Sequence, residues 1–186
     1  MLPWGHLAVG YLLYSLSVRL QHHVAPEGPA VIALAVGTQF PDLIDKPLAW
    51  TFGILPSGRS LGHSILFVVV ISVGVWLIGR RYNRRSEGIA LLAGYVSHVV
   101  VDVLPAVRAG QWDRLGSLLW PITPAYQYPG EMDRSIIEFF LALDLTGLSM
   151  IGLVLTVIAL GLWRFDGTPG VETVYGFVRP KSLDHS

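Results

Sequence analysis

Cysteine is absent from the 186 residues. Disulfides are therefore excluded, and so is any zinc site built on thiolates, which leaves His, Asp and Glu as metal ligands. Charge is also scarce. Charged residues make up 14% of the chain and hydrophobic residues 52%, where a soluble domain carries about 25% charged residues. With a mean hydropathy of +0.54, this is the composition of an integral membrane protein. The net charge is zero, without the basic excess that marks a nucleic-acid binder. No basic stretch precedes the first apolar run, so no cleavable signal peptide is expected. There is no internal repeat of the kind many transporters show, and no low-complexity segment. The length allows one domain, or two at most.

What is present is organised around residues 94–105, where His98 and Asp102 stand four apart in an apolar run. On a helix, positions i and i+4 share one face about 6 Å apart. The run from 87 to 107 is long enough to cross a bilayer, and an Asp near a bilayer centre costs about 2.5–3.5 kcal/mol on insertion scales. Such a pair needs a partner: either a hydrogen bond between packed helices or a bound ion.

Four further segments surround this one. Residues 2–20 predict a first helix with His6 near its start. Residues 29–40 predict a second that runs into Pro41-Asp42-Leu43-Ile44-Asp45-Lys46. Pro41 either kinks that helix or ends it; if the helix continues, Asp42 and Asp45 share a face. A loop or re-entrant piece follows at 47–58. Residues 59–64 open a third helix, with Arg59 and His63 in its first turn. After the central helix comes a long polar connection at 109–134, of a length that is often functional. A last helix is predicted at 141–163. The fold expected is all-α: a polytopic membrane helical bundle of four to five helices, the first two short of a full span. Residues 1–164 form the membrane-embedded domain and 165–186 a polar, loosely ordered tail.

The loop Arg80-Arg81-Tyr82-Asn83-Arg84-Arg85 is the most basic in the chain and should be cytoplasmic. Alternation then puts eight Lys/Arg inside (19, 80, 81, 84, 85, 164, 179, 181) and five outside (46, 59, 108, 114, 134). On that topology His6, Asp42, Asp45, His63, His98 and Asp102 all fall at one level, in the extracytoplasmic half of the bundle. Inverting the orientation moves all six together.

Three imidazoles and three carboxylates suit Zn²⁺ by ligand type, with Mn²⁺ and Fe²⁺ as alternatives. Six groups exceed the needs of one tetrahedral ion. Either some orient the others, or two ions share a carboxylate. Arg59 is always protonated and cannot ligate a metal; it suits a headgroup or phosphate. Lys46 is expected to snorkel to the interface. Glu131 and Asp133 read as solvated loop charges, His22 and His23 as solvated at the opposite end, and His185 as tail.

The ordered set His6-x-x-x-Gly10, Pro41-Asp42-x-x-Asp45, Arg59-x-x-x-His63-Ser64, Ser97-His98-x-x-x-Asp102 and Leu119-Trp120-Pro121 resembles the inner-membrane metal-dependent hydrolases of the YdjM type. The chain departs from that pattern twice. Gly5 stands where the family often has Thr, and the acidic motif has one extra residue and is followed by Lys46 rather than His. The resemblance implies a multi-span protein of the cell membrane with a metal-dependent hydrolase site. The expected metal ligands are His6, Asp42, Asp45, His63, His98 and Asp102, with Asp45 and Arg59 the catalytic candidates. A site at bilayer level beside Arg59 favours an ester or phosphoester of a lipid-like substrate. A proton- or ion-coupled transporter and a non-catalytic membrane scaffold would use the same buried His and Asp residues.

Overall fold

Pro3 opens the first helix: its ring presets φ for a first helical turn, and it has no N–H to leave unpaired. Helix α1 runs Pro3–His22 and stops where His23 enters the left-handed region at φ 58°. The computed structural model describes residues 2–131 and 148–178, and among them the chain is all-α with no strand. Helix α2 is Gly28–Lys46, α3 Ile65–Arg81, α4 Arg85–Arg108, α5 Leu148–Phe165 and α6 Val171–Val178. A five-residue π turn, Pro47–Thr51, continues from α2, and a 3-10 segment, Trp112–Leu119, follows α4.

Three boundaries differ from the sequence expectation. Helix α2 continues through Pro41 to Lys46; a proline inside a helix is tolerated where neighbouring helices re-satisfy the freed backbone groups. Helix α3 starts at Ile65, so His63 sits in the turn before it rather than in its first turn. Helices α1 and α2 have 20 and 19 residues, about 30 and 28 Å at 1.5 Å per residue, longer than their apolar runs. Among the described residues, α4 is the one helix both long and apolar enough to cross a membrane. The start of the last predicted helix, 141–147, lies outside the described residues.

Helix α4 is the hub. It packs most extensively on α2 and also meets α1 and α3, while α1 packs on α5 and α2. The α2–α4 crossing is close because both helices present glycine. Gly37 lies against the Leu91 backbone carbonyl, and Gly94 against the Leu34 carbonyl and the Thr38 amide. A Cβ at either place would run into backbone, which cannot swing aside as a side chain can. Close approach through small residues is how helices associate when lipid supplies no hydrophobic drive.

The bundle has two unlike halves. Ala8, Tyr11 and Tyr14, with Ala30, Leu34, Ala90 and Ala159, form an apolar core where α1, α2, α4 and α5 meet. The buried polar residues His6, Asp42, Asp45, His63 and His98 occupy the other half. Outward faces are apolar: Val69, Val70 and Val73 of α3, and Val154, Val157 and Ile158 of α5, are exposed.

The chain beyond residue 164 is held, not loose, as far as Val178. Asp166 folds back with its side chain buried. It accepts from Tyr11 Oη at 2.6 Å, Arg19 Nε at 2.8 Å, and Ser15 Oγ. Burial alone would raise its carboxyl, but these hydrogen bonds and the Arg19 charge hold it below the ordinary carboxylate range. Trp163 Nε1 donates to the Pro169 carbonyl at 3.1 Å, and α6 packs on α2.

Candidate metal centre

The site is assembled at the chain level where the polar residues converge. His6 comes from the first turns of α1, Asp42 and Asp45 from the last turns of α2, and His98 and Asp102 from one face of α4. His63 comes from the turn ahead of α3, which the α2 carboxylate Asp45 shapes directly. Asp45 accepts from the Ser60 amide at 2.8 Å, the Gly62 amide at 2.7 Å, and His63 Nδ1 at 2.8 Å. Tyr95 of α4 donates to the Gly62 carbonyl at 2.6 Å and closes the same turn from the other side.

Each of two imidazoles is fixed by its Nδ1. A carboxylate and a backbone carbonyl can only accept. His63 Nδ1 faces Asp45 and His98 Nδ1 faces the Thr38 carbonyl at 2.6 Å, so both Nδ1 atoms carry the proton. With neutral imidazoles, as a bound cation requires, both Nε2 atoms present a lone pair inward, and among the described residues neither has a hydrogen-bond partner there. Asp42 Oδ1 is likewise buried without one, while its Oδ2 accepts from Lys46.

These orphaned atoms face one another. Asp42 Oδ1 lies 3.7 Å from His98 Nε2 and 3.8 Å from His63 Nε2. Asp102 Oδ2 lies 3.5 Å from His63 Nε2 and 3.9 Å from His98 Nε2. One ligand atom from each of Asp42, His63, His98 and Asp102 falls within 4.8 Å of every other. The separations are too long for good hydrogen bonds. The four His–Asp distances come within a few tenths of the roughly 3.3–3.6 Å edges of a tetrahedron with bonds of about 2.0–2.2 Å, and the widest pair, at up to 4.8 Å, would close on binding. The donor set therefore fits a divalent cation.

The remaining expected residues lie beside these four. His6 stacks on His98 with ring centroids 3.9 Å apart, and its Nε2 is 3.3 Å from Asp102 Oδ1. Arg59 donates through Nε to Asp102 Oδ2 at 2.7 Å. Lys46 does not snorkel away: it pairs with Asp42 and lies over the Trp50 ring, 5.6 Å from its centroid.

The connection after α4 closes over this end of the bundle. Ser64 Oγ donates to the Trp120 carbonyl at 2.6 Å. Glu131 is not the solvated loop charge the sequence suggested; it accepts from Ser57 Oγ at 3.0 Å, the Gly58 amide at 3.1 Å and the Tyr128 amide at 3.3 Å. His22 and His23 are exposed at the far end, as expected, and Asp133 and His185 lie outside the described residues. Thr38, Tyr95 and Glu131 were missed as site-building residues. The first acts through its carbonyl, which no side-chain pattern reports, and the others depend on contacts 33 and 74 residues apart in the chain.

Fold and site together define a class: a protein all-α among its described residues, with a buried His/Asp cluster able to hold a metal ion. The chain belongs to the YdjM inner membrane protein family, whose model matches residues 1–174. No curated protein and no solved structure matches it.

Proposed function

We propose that the chain is a multi-pass metal-dependent hydrolase of the cell membrane, acting on an ester or phosphoester of a lipid-like substrate. The observation that carries this reading is the pair of buried Nε2 atoms, each ring held by an Nδ1 hydrogen bond, converging with Asp42 and Asp102 within 4.8 Å. Asp42, His63, His98 and Asp102 hold the ion, zinc by ligand type. Bound there, a divalent cation supplies Lewis acidity and acidifies a coordinated water towards a pKa of about 7.

The chain's own groups divide the remaining work. Both oxygens of Asp45 are engaged by Ser60, Gly62 and His63, so it orients His63 rather than ligating or acting on substrate. His6 supports the centre differently, stacking on His98 and approaching Asp102 through Nε2. Arg59 holds Asp102 and faces the cleft that opens onto the centre, where it meets an anionic headgroup. The four-Arg loop is cytoplasmic, and the site opens to the extracytoplasmic side.

Hydrolysis of p-nitrophenyl ester and phosphoester substrates by the detergent-purified chain tests this reading. Activity on one of them should vanish with a chelator, return with Zn²⁺ or Mn²⁺, and be absent from Asp102→Ala. Activity that survives both chelation and Asp102→Ala, or none with any metal on either substrate, goes against it.

A further inference from the structure

Two arginines meet one tyrosine ring beside the metal centre. The Arg59 guanidinium lies over Tyr128, 5.0 Å from the ring centroid. Arg114, from the 3-10 segment after α4, lies 5.6 Å from the same centroid and 5.3 Å from that of Tyr126. The two tyrosines pack edge to face with centroids 4.9 Å apart. A narrow cleft with accessible room of about 20 Å³, lined by Arg59, Arg114 and Tyr128 together with His63 and Asp102, runs between them. One cleft thus touches both guanidinium groups and two of the four residues of the candidate centre.

The two cations are differently engaged. Arg59 is neutralised by Asp102 through Nε, which leaves the terminal nitrogens of its fork for another acceptor. Arg114 is half-buried and contacts aromatic rings but, among the described residues, no carboxylate. Stacking on tyrosine fixes the plane of a guanidinium without using up its N–H donors. Planar forks that bond in pairs match phosphate oxygens, and a neutral carboxylic ester would leave the Arg114 charge unanswered.

We propose that Arg114 and Arg59 form an anion subsite that binds a phosphate group of the substrate, which makes the substrate a phosphoester rather than a carboxylic ester. Its link to chemistry rests on the hydrolase reading above; the binding itself does not. Arg114 is the specificity-determining residue of the pair, since Arg59 also holds Asp102.

The test is calorimetric titration of the full chain in detergent with inorganic phosphate and with dihexanoyl phosphatidic acid, the metal content of each sample being measured alongside. Arg114→Gln should weaken both ligands at least tenfold with metal content unchanged. Arg114→Lys keeps the charge without the fork and should lose several-fold, so the result does not depend on one variant folding. Tighter binding of the lipid than of phosphate assigns the subsite to a headgroup, and equal affinity assigns it to free phosphate. Wild-type affinity in Arg114→Gln, or no binding of either ligand by the wild type, overturns the proposal. Phosphate binding that depends on Arg114 in a chain that takes up no metal would leave the subsite standing and sink the hydrolase reading. Metal uptake with phosphate binding indifferent to Arg114 would do the reverse.

Discussion

The two nitrogens of His63 have separate tasks, and Asp45 sets which is which. Its carboxylate takes the Nδ1 proton and, through the Ser60 and Gly62 amides, also fixes the turn on which His63 rides. Partners of this kind typically contribute 10- to 100-fold to metal affinity. Asp45→Asn should therefore weaken metal binding by about that factor without abolishing it, as read by competition with a chromophoric chelator. Full wild-type affinity in Asp45→Asn would mean that the turn holds His63 unaided. The pairing of His98 with Asp102 was legible in the sequence, because spacing of four on one helix fixes a shared face. The role of Asp45 was not legible, because both its oxygens are claimed by groups 15 to 18 residues away in a non-helical turn. Arg114 carried no signal at all: a lone arginine in a polar connection gains meaning only from the rings it meets.

At the level of elements, the site exists because α2 and α4 approach closely enough for the Thr38 carbonyl to reach His98. Gly37 and Gly94 permit that approach. Gly94→Ala forces a methyl group against the Leu34 and Thr38 backbone and should cost about 1–3 kcal/mol, the usual range for overpacking. Gly94→Val should separate the helices and remove metal binding as well. Thermal unfolding in detergent, with metal content on the same samples, measures both. An unchanged midpoint for Gly94→Val would show that the crossing is looser than described. Helix existence was legible from apolar runs. The fate of α2 at Pro41 was not, since a proline's local effect is the same whether tertiary packing carries the helix onward or lets it stop. His63 precedes α3 rather than lying in its first turn for a similar reason: the start of α3 at Ile65 follows a turn held by distant partners, Asp45 and Tyr95.

Among the described residues the interior of the bundle is polar in one half and apolar in the other, and the two ends should face opposite sides of the membrane. With no cysteine of its own, the chain suits single-cysteine labelling. Gln127→Cys should react with an impermeant maleimide on intact cells and Asn83→Cys should not; the reverse pattern would invert the topology. At the end opposite the metal centre Asp166 ties the chain after α5 to α1. Its carboxyl is held below the usual range, so its stabilisation is fully present above the unfolded-state pKa of about 3.9 and fades as pH falls through the lower folded value. Asp166→Asn should accordingly destabilise by about 1–2 kcal/mol at pH 7, and the gap to wild type should close below about pH 4. A gap that stays constant down to pH 3 would show that the charge contributes nothing. This tie was invisible in the sequence, where a polar, Gly- and Pro-containing stretch reads as loose chain.

The central claim is that Asp42, His63, His98 and Asp102 hold one divalent cation, and elemental analysis of the detergent-purified chain tests it most directly. The account predicts about one transition-metal ion per chain in the wild type, and none in His98→Ala or Asp102→Ala proteins that still insert in the membrane. A wild-type chain that takes up no metal after titration with Zn²⁺, Mn²⁺ and Fe²⁺, or a His98→Ala chain that keeps its full metal content, would contradict it.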